Sequence, residues 1–269
     1  MKRALPGFGL SLGITLAYLG LVVVIPLVAL VAKSVGVHDF VGTLTSARVL
    51  AAFALSFGAS FVAAAISTLF GVIVAWVLVR YDFPGRRIVD VIVDLPFALP
   101  TAVAGIALAA TWGPHGVLGR FVPLAYTRGG VVIALIFLGV PFVVRAVQPV
   151  LAKHDRRVEE AAATLGASPV QITWRVILPA LRPAITTGFA LAFARALGEY
   201  GSVVFISGNM PMRTEILPLL VMTKLEQYDY TGATALALVM VIASFALLVA
   251  INSLGRPQKR RLPVARVIT

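Results

Sequence analysis

Cysteine is absent from this 269-residue chain. Disulfides and thiolate metal sites are therefore excluded, and cysteine usage says nothing about the redox compartment. Histidine is scarce: His38, His115 and His154 stand far apart with no HExxH spacing, so no metal site is expected. No lysine follows a glycine, so the GxxxxGK[ST] phosphate loop is missing and the chain is not by itself an ATPase of the usual type. Acidic residues number 11 against 23 Lys and Arg, for a formal net charge of +12. In a soluble protein that excess would point to nucleic acid. Here the charges fall between apolar runs, and no aromatic residues interleave with them as base stacking requires, so no nucleic-acid partner is expected. No cofactor is implied. Internal repeats, low-complexity tracts and long linkers are missing as well, and residues 1–269 read as a single domain.

What the chain does have is apolar length. Hydrophobic residues make up 59% of it, and the mean hydropathy is +0.97, more apolar surface than one soluble core buries. Runs able to cross about 30 Å of hydrocarbon occur near 8–32, 50–79, 88–112, 130–152, 183–207 and 231–254. These predict an all-α membrane protein with about six transmembrane helices. The patch Ile216–Met222, interrupted by Pro218 and flanked by Arg213, Glu215 and Lys224, is too short to span and suits an interfacial or re-entrant piece. The first run is too long for a secretory signal and lacks a clear cleavage site, so it is expected to stay attached.

Basic residues orient the spans. One set of connecting segments and termini carries 15 Lys and Arg, from Lys2 and Arg3 through Arg80, Arg86, Arg87 and the 153–182 loop to the C-terminal cluster, and the other set carries 6. Both termini and the 153–182 loop are therefore expected in the cytoplasm. Arg145 and Arg195 are the two basic residues inside predicted spans.

The 153–182 loop reads as two short helices meeting at a turn. In the first, Val158, Ala161, Ala162 and Leu165 recur at i, i+3, i+4, i+7, with Arg156 and Glu160 an i,i+4 pair. Gly166 supplies a left-handed residue to end it. Ser168, Pro169 and Gln171 form a Ser-x-x-Gln capping box with proline at the first helical position, and Leu178-Pro179 is expected to stop the second piece before the fifth span. Physically this describes an amphipathic hairpin, either resting on the membrane surface or docked into a partner.

Glu160-Ala161-Ala162, Gly166 and Leu178-Pro179 stand at the spacing of the EAA motif, EAA-x3-G-x9-I-x-LP, with Val176 in place of the isoleucine. The chain thereby resembles the permease subunits of ATP-binding-cassette (ABC) importers. Phe193-Ala194-Arg195-Ala196-Leu197-Gly198-Glu199-Tyr200-Gly201 is similar to the FxRxxGEFG-type stretch of sulfate and molybdate permeases. The stretches 95–105 and 141–150 resemble the sulfate/thiosulfate permeases in particular, which favours sulfate over molybdate or tungstate. The resemblance implies the type I, molybdate/sulfate-like architecture and a non-catalytic transport subunit in a bacterial inner membrane. It further implies a coupling role for the 153–182 loop on ABC ATPase subunits, a second related permease as heterodimer partner, and an extracytoplasmic sulfate-binding protein.

Arg195 and Glu199, four residues apart on one helical face, are costly in lipid at about 3 kcal/mol or more per charge, so that face must meet protein or a water-filled path. They are either a structural ion pair or part of the pathway. Pro96, Pro100 and Gly105 in the third span, beyond Asp90 and Asp94, predict a kinked helix, and with Arg195 and Glu199 they are the pathway or gate candidates. Arg145 lies within two turns of its span's cytoplasmic end and is expected to snorkel to the interface. A gradient-driven secondary anion transporter would carry internal repeats and paired discontinuous helices, and neither is apparent in the sequence. A membrane enzyme would need a nucleophile and base at depth, which are also not apparent.

Overall fold

The computed structural model describes residues 7–34 and 40–254. Lys2, Arg3, His38 and the basic residues Arg256, Lys259, Arg260, Arg261 and Arg266 lie outside them. Among the described residues every regular element is helical. The helices are α1 (Phe8–Ser34), α2 (Phe40–Thr45), α3 (Ala47–Arg80), α4 (Arg86–Ala98), α5 (Thr101–Trp112), α6 (Arg128–Ala152), α7 (Arg156–Thr164), α8 (Pro169–Leu197), α9 (Gly201–Ser207), α10 (Leu217–Glu226) and α11 (Tyr230–Leu254). Helices α1, α3, α6, α8 and α11 are each long and apolar enough to cross a membrane, and α4 with α5 is a bent pair that passes the same test only when taken together, as a broken span or a re-entrant loop.

The centre of the molecule is α3 packed on α6 and α8. Between helices already surrounded by apolar lipid, the hydrophobic effect adds little, so close van der Waals approach must supply the attraction. The sequence provides small residues for it: Ala52, Ser56, Ala59, Ser60, Ala63, Ala64, Ser67, Gly71 and Ala75 form the buried side of α3. At Gly71 a Cβ would sit 2.7 Å from Cβ of Val143, and at Gly139 2.6 Å from Oγ of Ser67. Phe193, Leu197, Leu181 and Val147 fill the space beside this seam. Buried serines are satisfied within it, as where the Leu217 amide donates to Ser56 Oγ at 2.6 Å. Helix α1 is the opposite case, with Ser34 its one buried residue.

Two expected spans are corrected. The 88–112 run is not one kinked helix but two helices meeting at 111°. Leu99, as the residue before Pro100, is pushed out of the helical region to φ −83°, ψ 133°, and Pro100 follows at ψ 132°. The 183–207 run is displaced toward the N-terminus: α8 runs unbroken from Pro169 to Leu197, stops at Gly198–Tyr200, and only the short α9 follows. Leu178-Pro179 therefore does not stop a helix. A π-helical turn over Thr173–Ile177 precedes the proline, with the Leu178 amide bonded to the Thr173 carbonyl. That widened turn absorbs the missing donor and the ring clash that would break a regular helix. The 216–222 patch opens α10, a ten-residue helix begun by Pro218 and buried through Leu217, Leu219 and Leu220. Between α10 and α11, Asp229 accepts from Lys224 at 2.6 Å and from the Gly232 amide at 2.8 Å. The Lys224 bond first, then the amide, holds its carboxyl below the usual carboxylate range.

Candidate functional site: a helical hairpin and a double helix break

The 153–182 loop forms the expected hairpin. Asp155 caps α7, its carboxylate accepting from the Arg157 amide at 3.0 Å. Gly166 has φ +86°, and the amides of Gly166 and Ala167 bond back to the carbonyls of Ala163 and Ala162, which is the Schellman closure of a helix end. Ser168 and Gln171 complete their capping box at 2.9 and 3.3 Å and start α8. Glu160 and Ala161 are exposed, and no atom lies within 4 Å of a Cβ placed at Gly166. The hairpin's apolar residues point outward: Leu165 is 89% exposed, Trp174 68% and Val170 67%. A projecting, capped, apolar turn is a shape that fits a groove on a partner. Glu159 ties the hairpin to the spans through its bond to Arg80 at the end of α3. Arg80 and Glu159 are 79 residues apart, and nothing local in the sequence pairs them.

Of the remaining candidates, Pro100, Gly105, Arg195 and Glu199 lie at or next to the place where the two helix breaks touch. The α4–α5 break at Leu99–Pro100 lies against the α8–α9 break at Gly198–Tyr200. A Cβ at Gly201 would lie 2.2 Å from Thr101 Oγ1, and one at Gly105 would lie 2.4 Å from the Ser202 carbonyl oxygen. Gly105 is thus the position that lets α5 and α9 close on each other. Paired discontinuous helices, which the sequence did not reveal, are present. Arg195 Nη1 donates to Glu199 Oε2 at 2.6 Å, at the end of α8 rather than in mid-helix. The second carboxylate oxygen of Glu199 accepts from the Ser202 amide at 2.8 Å and its hydroxyl at 2.9 Å. Glu199 is 2% exposed, so a buried carboxylate both caps α9 and neutralises Arg195, while a third of the Arg195 side chain stays open.

Arg145 is clamped by the neighbouring helix α4. Its guanidinium makes paired bonds to Asp94 at 2.8 and 2.5 Å and reaches Asp90 Oδ1 at 2.7 Å and Gln148 Oε1 at 2.6 Å. Two carboxylates one turn apart on α4 face one arginine of α6 and draw it inward. Pro96 lies on α4 two residues beyond Asp94, between this clamp and the break. Beside the clamp a groove of about 550 Å³ runs between α4, α6 and α8, lined by Phe97, Phe142, Arg145, Pro183, Thr187 and Leu191. Arg195 is one turn beyond Leu191, so the groove leads toward the double break. A further ion pair, which no local pattern announces, joins the half-exposed Arg48 at the start of α3 to the buried Glu215 before α10, at 2.7 and 2.6 Å.

Comparison with known proteins places this architecture. The profile of the family described as "Binding-protein-dependent transport system inner membrane component" matches residues 67–262. The "Probable sulfate transport system permease protein cysT" of Nephroselmis olivacea is 47% identical over 259 residues, covering 94% of this chain and 90% of that one. The "Sulfate transport system permease protein CysT" of Salmonella typhimurium is 43% identical over 268 residues, covering 97% of each. Among solved structures, a chain of a bacterial alginate ABC transporter, in complex with its alginate pentasaccharide-bound periplasmic protein, superposes with a TM-score of 0.75. It is 17% identical and covers 91% of this chain and 92% of its own, which establishes a shared fold.

Proposed function

The chain belongs to the binding-protein-dependent transport system inner membrane component family, and from that premise we propose that it is a permease subunit of an ATP-driven sulfate/thiosulfate importer. The observation that carries the energy source is the hairpin: Glu160, Ala161, Ala162 and Gly166 belong to a capped turn whose apolar side chains Leu165, Val170 and Trp174 are left exposed by the described residues. Its occupant is the groove of an ABC ATPase, which hydrolyses the ATP this chain lacks a phosphate loop to bind. Leu178 and Pro179 carry the movement onward, because the π-turn makes the second arm of the hairpin and the span one continuous helix, Pro169–Leu197.

The substrate follows from the near full-length similarity to sulfate permeases. Sulfate arrives on an extracytoplasmic binding protein, and a second, related permease completes the path. The chain sits in a bacterial cytoplasmic membrane with both termini inside. Pro96, Pro100 and Gly105 with Arg195 and Glu199 form the gate, since two helix breaks in contact can open by small rotations. Arg195 beside Glu199 keeps the local charge near zero, which suits a route that must release its ion as readily as it admits it.

The test is co-purification with the ATPase, followed by labelled-sulfate uptake into vesicles with and without ATP. Uptake should require ATP and be competed by unlabelled sulfate or thiosulfate. Competition by molybdate alone would reassign the anion, and ATP-independent uptake collapsed by an ionophore would replace the importer with a gradient-driven carrier.

A further inference from the structure

Where the cytoplasmic ends of α3 and α6 and the start of α4 meet α7, the chain forms a partly open cavity of about 240 Å³. Arg80, Arg86, Gln148, His154 and Arg156 line it, with Leu151 as its apolar wall. Three guanidiniums share this space with two acids on neighbouring elements. Glu159 of α7 takes one end of Arg80, and the exposed Asp82 takes Nη1 of Arg86 at 2.6 Å. Arg80 Nε and His154 Nε2 are buried and make no hydrogen bond; the acid nearest His154 Nε2 is Glu159, whose Oε1 lies 3.7 Å away, beyond hydrogen-bond distance, and is already bonded to Arg80. Gln148 uses its carbonyl oxygen on Arg145, which leaves its amide hydrogens as donors.

The lining is therefore rich in donors and poor in acceptors. A buried N–H left unpaired costs about 1–3 kcal/mol, and folded proteins leave few of them. Two unpaired nitrogens in one cationic cavity mark the place of an acceptor with several oxygens. His154 Nε2 donates to such a group as the Nε2–H tautomer or as imidazolium. Arg80 is steadied by Trp76, with its guanidinium 5.3 Å from the ring centroid.

We propose that this cavity binds a tetrahedral oxyanion, either free sulfate or phosphate or the phosphate of an acidic lipid headgroup. Arginine forks match tetrahedral oxyanions, and a basic pocket at the ends of spans is where a headgroup phosphate reaches. The bound anion bridges Arg156 of α7 to Arg80 and Arg86 of the spans, beside the Glu159 link. Its occupancy ties the hairpin to the transmembrane body. The site is separate from the translocation groove, with which it shares no lining residue.

Binding can be measured without transport, so the result stands apart from the importer assignment. The purified full chain is placed in nanodiscs of phosphatidylcholine, where labelled sulfate binding is read by equilibrium dialysis. It is also placed in discs containing phosphatidylglycerol, where retained lipid is read by native mass spectrometry. Either about one sulfate per chain in neutral lipid, or about one tightly held phosphatidylglycerol, is expected; the first identifies a free anion and the second a headgroup. Arg156→Gln, and independently Arg86→Gln at a partly exposed position, should weaken that ligand about tenfold, the loss of one charged hydrogen bond. Arg175→Gln, an exposed basic residue of the same loop outside the cavity, should not. Retention of neither ligand, or equal weakening by Arg175→Gln, overturns the site.

Discussion

The Arg195–Glu199 pair makes an unequal prediction for its two halves. Arg195→Ala leaves Glu199, which is 2% exposed, as a buried carboxylate held only by Ser202. Removing the partner of a buried charge costs about 3–5 kcal/mol. Glu199→Ala leaves an arginine that is a third exposed and can hydrate, so its cost is chiefly the lost cap of α9, about 1–2 kcal/mol. The double variant should resemble Glu199→Ala, because neither charge is stranded, so the cycle should show a coupling as large as the cost of Arg195→Ala, about 3–5 kcal/mol. At about 2–4 °C per kcal/mol, Arg195→Ala should lower the unfolding midpoint by about 10 °C and the other two by about 4 °C. Thermal unfolding in detergent measures this order, and an Arg195→Ala protein as stable as Glu199→Ala would refute the argument from burial. Sulfate uptake by the same four proteins separates the roles. Recovered uptake in the double variant removes direct contact between Arg195 and the anion; recovered stability without uptake removes the purely structural role.

Gly166→Glu places a side chain at φ +86°, strained by about 1 kcal/mol or more, and puts a charge on the docking turn. It should abolish uptake while the protein still inserts, as membrane fractionation with a transport assay would report. Gly105→Ala brings a methyl group against Ser202 backbone, with 2.4 Å to the carbonyl oxygen, and should cost about 1–3 kcal/mol while holding the two breaks apart. A thermal midpoint and uptake rate both equal to wild type would show that the breaks do not need to touch. Single cysteines in this cysteine-free chain test orientation. On intact cells an impermeant thiol reagent should label Thr127→Cys and spare Ser168→Cys, and the reverse pattern inverts the topology.

Local features of this chain were legible because their causes are local. Spans α1, α3, α6 and α11 follow from apolar length, and the ends of the hairpin follow from Gly166, Ser168 and Gln171, whose geometry involves residues within five positions of each other. The break at Pro100 was visible as a kink, since proline restrains its predecessor wherever it stands. One local rule failed where a neighbouring turn could adjust: Pro179 ends no helix because the π-turn before it absorbs the missing donor. The clamp of Arg145 by Asp90 and Asp94 lay beyond local rules, since it joins two helices.

Tertiary structure alone decided which distant residues meet. Arg80 with Glu159, Arg48 with Glu215, and Gly105 with Ser202 lie 79 to 167 positions apart. A side-chain period records which face of a helix is apolar, but not which helix lies against it. In lipid that ambiguity is sharper than in water, because a span is apolar on every side and its packing partners are set by small steric details. The close approaches at Gly71, Gly105 and Gly139 are such details, and they become readable only once the neighbouring backbone is in place.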